Sequence, residues 1–215
     1  MKNDRYIPAL GYDALTPYYD KVVGWTTREK IFKNALVEQA QVGMNQRVLD
    51  LACGTGTLTI LLKKAAPAAE IWGVDGDPKI LKLAREKARL GDFEIRFDEG
   101  MSFDLPYADA SFDRVVSSLF FHHLTPESKR KTLLEVRRIL KTGGTLHVAD
   151  WGKPANLLMK FASTPVQWLD GATTKDSYAG RLPELMAEAG FADIIETADY
   201  STVFGTLRLD RAVKK

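Results

Sequence analysis

One cysteine, Cys53, stands in the whole chain, so no disulfide framework can form within it. No apolar run approaches the ~20 residues that a membrane-spanning helix needs. Neither sign of charge dominates. The 30 Lys and Arg against 28 Asp and Glu leave +2, and nothing in that balance draws the chain to nucleic acid or to a membrane surface. Met1-Lys2-Asn3-Asp4-Arg5 leads into a polar and aromatic stretch rather than an apolar signal core, so a cytoplasmic location is expected. Histidine is scarce, with three in 215 residues. The adjacent His122 and His123 point in different directions and lack a Cys, Asp or Glu set at useful spacing, so no metal is expected. With 45% hydrophobic residues, residues 1–215 suffice for one α/β domain with a core and a small insertion.

The most informative stretch is Arg47 to Thr59. Val48 to Leu51 form a short apolar run that fits a buried strand. Cys53-Gly54-Thr55-Gly56 then reads as a glycine turn, and Leu58-Thr59-Ile60-Leu61-Leu62 opens an amphipathic helix. Strand, glycine turn and helix form the unit with which open α/β sheets hold nucleotide-like ligands at strand carboxyl ends. A dinucleotide fingerprint wants a third glycine where Thr59 stands. Asp50, inside the strand that feeds the turn, suits a cationic group better than a pyrophosphate. Asp75 closes the next apolar run, Ile71 to Val74, and falls where an acidic side chain can chelate a ribose diol. Ammonium, sulfonium and ribose together describe S-adenosylmethionine better than NAD.

Asp50-Leu51-Ala52-Cys53-Gly54-Thr55-Gly56 resembles the D-x-G-x-G-x-G loop of class I S-adenosylmethionine-dependent methyltransferases, with Ala52 in place of the first glycine. Further stretches follow in the family's order. Val74 to Pro78 is similar to its acidic second-strand loop, and Asp104-Leu105-Pro106-Tyr107 with Ser111-Phe112-Asp113 to its "LPF…sFD" segment. Leu140 to Gly144 is similar to its "LkpGG" turn. Within the family the chain resembles the ubiquinone/menaquinone-biosynthesis C-methyltransferase-like proteins. The resemblance implies a doubly wound, mostly parallel Rossmann-like sheet of about seven strands, with an antiparallel final hairpin and an N-terminal helical arm.

The resemblance also assigns roles. Residues 1–42 are expected to form an arm over the cofactor, with Tyr19 at its methionyl end and Tyr18 toward the acceptor. Asp50, Ala52, Gly54, Thr55 and Gly56 would meet the amino-acid portion, and Asp75 with Gly76 the ribose. Met101 and Ser102 would meet the adenine, and Ser118 and Leu119 would line the site. Gly100-Met101-Ser102 stands where the family often has Gly-Asp-Ala, so Met101 cannot accept from the adenine amino group. His122 is a candidate base, the alternative being a histidine that lines the cofactor pocket or caps the following helix. His123, Asp150, Trp151 and Trp168 are expected on the acceptor side, the last within an irregular insertion at residues 151–178.

Periodicity places the remaining elements. A helix is expected from Arg28 to about Gln41 with Ile31, Phe32, Ala35, Leu36 and Ala40 inward. Another should run from Pro78 to about Arg89 with Ile80, Leu81, Leu83, Ala84 and Ala88 inward and Lys79, Lys82, Arg85 and Lys87 solvated. Phe93 to Phe97 should be the third strand and Asp113 to Leu119 the fourth. A helix from Thr125-Pro126 to Leu140 would bury Leu133, Leu134, Val136, Ile139 and Leu140. Thr145 to Asp150 should be the fifth strand, with His147 structural. A helix from Tyr178 to Ala189 and a hairpin of Phe191–Thr197 with Thr202–Leu209 would complete the chain.

The chemistry these features imply is methyl transfer from S-adenosylmethionine to a small quinol, phenol or lipid-like acceptor, with S-adenosylhomocysteine as product. Such a displacement needs alignment and exclusion of water more than a diagnostic nucleophile. Base-amino methylation of nucleic acid would require an Asn/Asp-Pro-Pro-Tyr/Phe motif where Ser118-Leu119-Phe120-Phe121 stands, so no nucleic-acid partner is expected. The quinone enzymes carry a G-x-R-N segment where this chain has Phe120-Phe121-His122-His123, which leaves the acceptor open. A non-catalytic S-adenosylmethionine-binding module and a nicotinamide oxidoreductase remain alternatives.

Overall fold

Alternation within the strands divides the core between two faces of one sheet. Leu49 and Leu51 point to one face with Val115, Leu146 and Val148. Val48 points to the other with Val116 and Ala149. The structure, a computed structural model, describes residues 29–155, 175–202 and 205–215. Its strands are β1 (Arg47–Leu51), β2 (Glu70–Asp75), β3 (Arg96–Glu99), β4 (Phe112–Ser118), β5 (Leu140–Trp151), β6 (Phe191–Thr202) and β7 (Gly205–Lys214). Its helices are α1 (Glu29–Ala40), α2 (Thr57–Ala65), α3 (Pro78–Leu90), α4 (Pro126–Ile139), α5 (Lys175–Tyr178) and α6 (Leu182–Glu188). None of the described helices is long and apolar enough to cross a membrane.

The seven strands lie in the order β3-β2-β1-β4-β5-β7-β6. β1 to β5 pair in parallel, whereas β7 runs antiparallel to both β5 and β6. The expected doubly wound sheet with an antiparallel final hairpin is therefore present. From β1 the chain moves outward to β2 and β3, then crosses back to β4 and β5. This reversal opens a crevice beyond the carboxyl ends of β1 and β4, the usual ligand position in such sheets.

Helix α1 and α2 cover one face through Phe32, Leu36, Leu58 and Leu62, while α4 and α6 cover the other through Leu133, Val136, Leu185 and Met186. Phe32 and Leu36 are fully buried, each worth roughly 1.5–3 kcal/mol over exposure. The described part of the expected arm is thus a layer of the core. Residues 1–28, with Tyr18 and Tyr19, lie outside the described residues, as do residues 156–174 with Trp168.

Several expectations shift. The third strand is Arg96–Glu99 and leaves Phe93 to Ile95 before it. Ile31, Leu83 and Leu134, expected inward, are exposed. Leu134 gives way to Thr132 and the stem of Lys129, both buried on α4. The expected helix over residues 178–189 is split into α5 and α6 by Gly180, whose φ of 74° no helix interior accommodates. β5 begins at Leu140, because Gly143 (φ 77°) absorbs the register shift between Phe112↔Leu140 and Arg114↔Thr145. The final strands are longer than expected and reach Thr202 and Lys214.

The family-like segments at the amino ends of the strands act as fasteners. Asp113 Oδ2 accepts the Arg47 N–H at 2.9 Å, and both its oxygens accept from Lys141 Nζ at 2.9 Å, which ties β1, β4 and β5 together. Arg138 donates to the Leu105 and Tyr107 carbonyls, and Glu135 accepts from Leu105 N–H, which clamps the Leu-Pro-Tyr segment to α4.

Gly73 in β2 has no room for a side chain. A Cβ there would lie 2.8 Å from Phe97 Cδ1 and 3.0 Å from Cys53 Sγ. Gly73→Ala should destabilise the fold by about 1–3 kcal/mol through overpacking, read as a lower urea midpoint at unchanged slope. An unchanged midpoint would mean that Phe97 swings aside without cost.

Candidate active site

The turn after β1 requires left-handed backbone at three alternate positions: Ala52 (φ 56°), Gly54 (φ 54°) and Gly56 (φ 76°). For Ala52 this conformation costs roughly 1–2 kcal/mol, so the departure from the family's glycine is a strain the turn absorbs. The two glycines differ in what surrounds them. A Cβ on Gly56 would meet Ala84 Cβ at 3.1 Å and Phe97 Cζ at 3.2 Å, so Gly56 is needed for packing. A Cβ on Gly54 would meet nothing within 4 Å, so the chain opens there onto free space. Cys53 points inward among Leu81, Ala84, Ala88 and Phe97, as a small packing residue should. Its thiol is pushed up by burial and by the nearby Asp50 and Asp75 charges.

Asp75, at the end of β2, holds the turn from the side. Its Oδ2 accepts the Gly54 N–H at 2.9 Å, and Oδ1 accepts the Asp77 N–H at 3.0 Å. A carboxylate offers about four acceptor positions, and the Gly76 N–H also acts on this one, so acceptor capacity remains for a hydroxyl of a vicinal diol. Burial pushes this carboxyl up against the pull of those backbone bonds. Gly76 follows, with Met101 Sδ 2.9 Å from where its Cβ would be. Met101 pairs with Asp104 across a short bridge. The Ser102 hydroxyl is paired at 2.8 Å with Thr132 on α4, so it is oriented toward that helix.

Asp50 is only 1% exposed and lies beneath the turn rather than in it. Its Oδ2 accepts from the Thr59 hydroxyl at 2.6 Å. Burial pushes its pKa up to about 7, against the Thr59 bond and the Lys33 charge and with a further push from Asp75. Thr59, the residue that spoils a dinucleotide fingerprint, is thus the partner of the buried acid. Lys87, expected in solvent, is half-buried and donates to the Thr55 and Thr57 hydroxyls at 3.0 and 3.1 Å. Neither contact is visible from spacing, since both partners meet only through the packing of α2 and α3.

Beyond β4, Ser118 and Leu119 are half-buried, Leu119 has φ 53°, and its N–H donates to the Ala149 carbonyl at 2.8 Å. Phe121–His123 then forms a single 3-10 turn. His122 is buried, with Nδ1 2.6 Å from Asp150 Oδ1, whereas His123 is exposed with its ring centroid 3.9 Å from that of His122. Asp150, expected on the acceptor side, is 3% exposed and saturated. It also accepts from Trp151 N–H at 2.7 Å and from the Phe120 and His122 N–H groups at 3.2 Å each. With its acceptor positions filled, it supports His122 and does not reach a ligand directly. Burial pushes Asp150 up, but the His122 charge and bond and the Trp151 N–H outweigh it and hold it below the usual carboxylate range. Trp151 is buried and stacked on Tyr178, with ring centroids 6.3 Å apart. His147 is satisfied structurally, between Gln39 and Thr145.

Residues 48–144 match the family model described as a methyltransferase domain. A demethylmenaquinone methyltransferase of Lactobacillus johnsonii is 31% identical over 216 residues, with 86% of this chain and 85% of that protein covered. The chain belongs to the class I S-adenosylmethionine-dependent methyltransferases, of the menaquinone/ubiquinone type. A demethylmenaquinone methyltransferase of Deinococcus radiodurans is 40% identical over 125 residues, 58% of this chain and 51% of that protein. One from Thermus thermophilus is 40% identical over 109 residues, 51% of this chain and 49% of that protein. The chain thus spans about half the length of these two curated relatives. The methyltransferase fold is shared with the YcgJ protein of Bacillus subtilis at a TM-score of 0.70 and 18% identity, covering 85% and 97% of the two chains. S-adenosylmethionine is the donor that names this family. The open cradle at Gly54 and the free acceptor positions of Asp75 fit its adenosyl portion.

The buried Asp50 carboxyl makes the stability of this fold depend on pH. Its folded pKa of about 7 lies above the ordinary 3.8, so the cofactor-free folded chain binds more protons than the unfolded chain between those values. Its contribution to stability is therefore present at low pH and lost as pH rises toward 7. Asp50→Asn should match wild type near pH 4 and gain several degrees of relative Tm by pH 8, read by calorimetry across pH. A difference flat in pH would show Asp50 ionising as if in water.

Proposed function

We propose that this chain transfers a methyl group from S-adenosylmethionine to a small aromatic acceptor of the phenol, quinol or naphthol class. The observation that carries the proposal is the cradle at the carboxyl ends of β1 and β2. There an open Gly54 faces free space, and Asp75, though held by backbone N–H groups, keeps acceptor capacity. In this reading Asp75 binds the ribose diol, and Gly76, Met101 and Ser102 border the adenine. Gly54 to Gly56 give the backbone close approach, and Asp50 acts from beneath the turn as a buried acid that a bound cation helps to ionise. Ser118 and Leu119 line the floor between donor and acceptor. When bound, S-adenosylmethionine supplies an electrophilic methyl carbon on a cationic sulfur, which departs as a neutral thioether.

The protein's part is then alignment and exclusion of water. The aromatic acceptor class draws support from Trp151 at the end of β5, which stacks on Tyr178 and has the His122 ring edge-on at 6.4 Å. It also draws support from the relatives, whose name, demethylmenaquinone methyltransferase, states a quinone-type acceptor.

Calorimetric titration tests the donor half. S-adenosylmethionine and S-adenosylhomocysteine should bind wild type, and NADH should not. Gly54→Ala should weaken adenosyl binding by at least ~10-fold, because its methyl group enters the cradle, while its fold loses only about 1–2 kcal/mol of backbone strain. A folded wild type that binds neither adenosyl compound would end this reading. Adenosyl binding without S-adenosylhomocysteine release on any acceptor would leave a binding module instead of an enzyme.

A further inference from the structure

β4 lies directly beside β1, so the turn that follows it borders the crevice at the reversal of the sheet. His122 sits in that turn and meets Asp150 from the end of β5 at 2.6 Å. An ionised carboxylate can only accept, so the proton of this hydrogen bond belongs to His122 Nδ1, and neutral imidazole then carries a bare Nε2. No described residue partners Nε2. Among the described residues, only Asp210 Oδ1 is a fully buried side-chain polar atom without a partner. Nε2 therefore keeps contact with accessible space. The arrangement has the parts of a general base with its orienter: a histidine fixed through Nδ1, and a carboxylate itself held by three backbone N–H groups.

We propose that Asp150 is a positioning residue that holds His122 with Nε2 bare, and that His122 takes the proton of an acidic aromatic hydroxyl on the acceptor. This deepens, and rests on, the methyltransferase reading above. In the step, the O–H bond breaks and its electron pair stays on the acceptor oxygen. The proton forms the new N–H bond at Nε2, and neutral imidazole beside Asp150 becomes an imidazolium–carboxylate pair. The aryloxide takes the methyl group at oxygen or, through the ring, at carbon, where the ring C–H proton is then lost to restore aromaticity. The sulfur–methyl bond breaks and the sulfur leaves as a neutral thioether. The proton at Nε2 leaves to solvent afterwards.

An acceptor of this class gains most from such a base. A phenol with a pKa near 10 is ionised to only about one part in a thousand at pH 7. General base catalysis typically supplies about 10²–10⁴-fold, which matches that deficit. The charged and titratable groups around the pair are few. His123 stacks beside His122 from the same turn, and Asp210 on β7 couples to Asp150 from behind, with Glu196 and Arg208 beside it. Lys129 on α4 donates to Ser177.

Two measurements test the proposal. In wild type labelled with ¹⁵N-histidine, His122 is assigned by its loss in His122→Gln. In its neutral form it should show a protonated Nδ1 and a bare Nε2. In parallel, release of S-adenosylhomocysteine is followed with 1,4-dihydroxynaphthalene, catechol, 4-nitrocatechol and ethanolamine. Turnover is expected on the hydroxyarenes. His122→Gln and Asp150→Asn should lower kcat/KM there by about 10²–10³-fold, with S-adenosylmethionine affinity within about twofold of wild type. 4-Nitrocatechol, already ionised at assay pH, should lose far less in His122→Gln. If Asp150→Asn does not fold, the wild-type titration and His122→Gln decide alone. The proposal is overturned by an Nε2-protonated tautomer of neutral His122. It is equally overturned by turnover confined to ethanolamine, by no turnover on any of the four, or by full activity of His122→Gln. Failure of the wild type to bind S-adenosylmethionine would strike the methyltransferase reading instead.

Discussion

Within the five residues from Ala52 to Gly56 the backbone must leave β1 and turn into α2, and it does so with positive φ at three of them. Much else at this end of the sheet follows from that constraint. Cys53 is driven inward and completes the small cluster under α3. Gly56 presses so closely on Ala84 and Phe97 that the position of α3 depends on its missing side chain. The Gly54 N–H is turned toward Asp75, and that bond joins the carboxyl ends of β1 and β2. Lys87 closes the far side through Thr55 and Thr57. Gly54 and Gly56 each donate an N–H bond, to Asp75 and to the Cys53 carbonyl respectively, and a cradle so held spends little binding energy on ordering itself.

Three carboxylates sit near this end, and their surroundings separate them. Asp50 is buried with a single hydroxyl partner, and desolvation pushes it up to about 7. Asp75 has two backbone donors and stays half-exposed, so it is raised less decisively and keeps acceptor capacity. Asp150 is as buried as Asp50 but collects four donors, two of them from His122, and is held down. Three identical functional groups thus come to differ through burial and the donors each meets.

The opposite end of the sheet does mechanical work. Asp113 ties β1, β4 and β5 at their amino ends, and Arg138 pins the Leu-Pro-Tyr segment. Left-handed residues occur at both ends, with Asn45 and Ala110 ahead of β1 and β4 and Ala52 and Leu119 after them. The ties at the amino ends explain why the family-like segments are spread along the whole chain although the crevice uses only half of them.

Whereas the doubly wound sheet was implied by the family resemblance, local patterns were enough to read the strand–turn–helix at Arg47 to Leu62, the acid at Asp75 and the structural role of His147. Each is encoded over a few consecutive residues, by apolar runs, glycines and turn residues whose effect is short-ranged. Periodicity alone misjudged Leu83, Leu134 and Ile31, because a helical stripe says which residues share a face and not how far the neighbouring sheet extends beneath it. The pairing of His122 with Asp150, of Asp50 with Thr59 and of Lys87 with Thr55 could not be read from the chain. The first joins residues 28 positions apart on separate strands, and the others depend on how α2 and α3 settle onto the sheet. Which acids ionise, and which histidine nitrogen is bare, are consequences of burial and donor count. Those quantities exist only once the chain has packed.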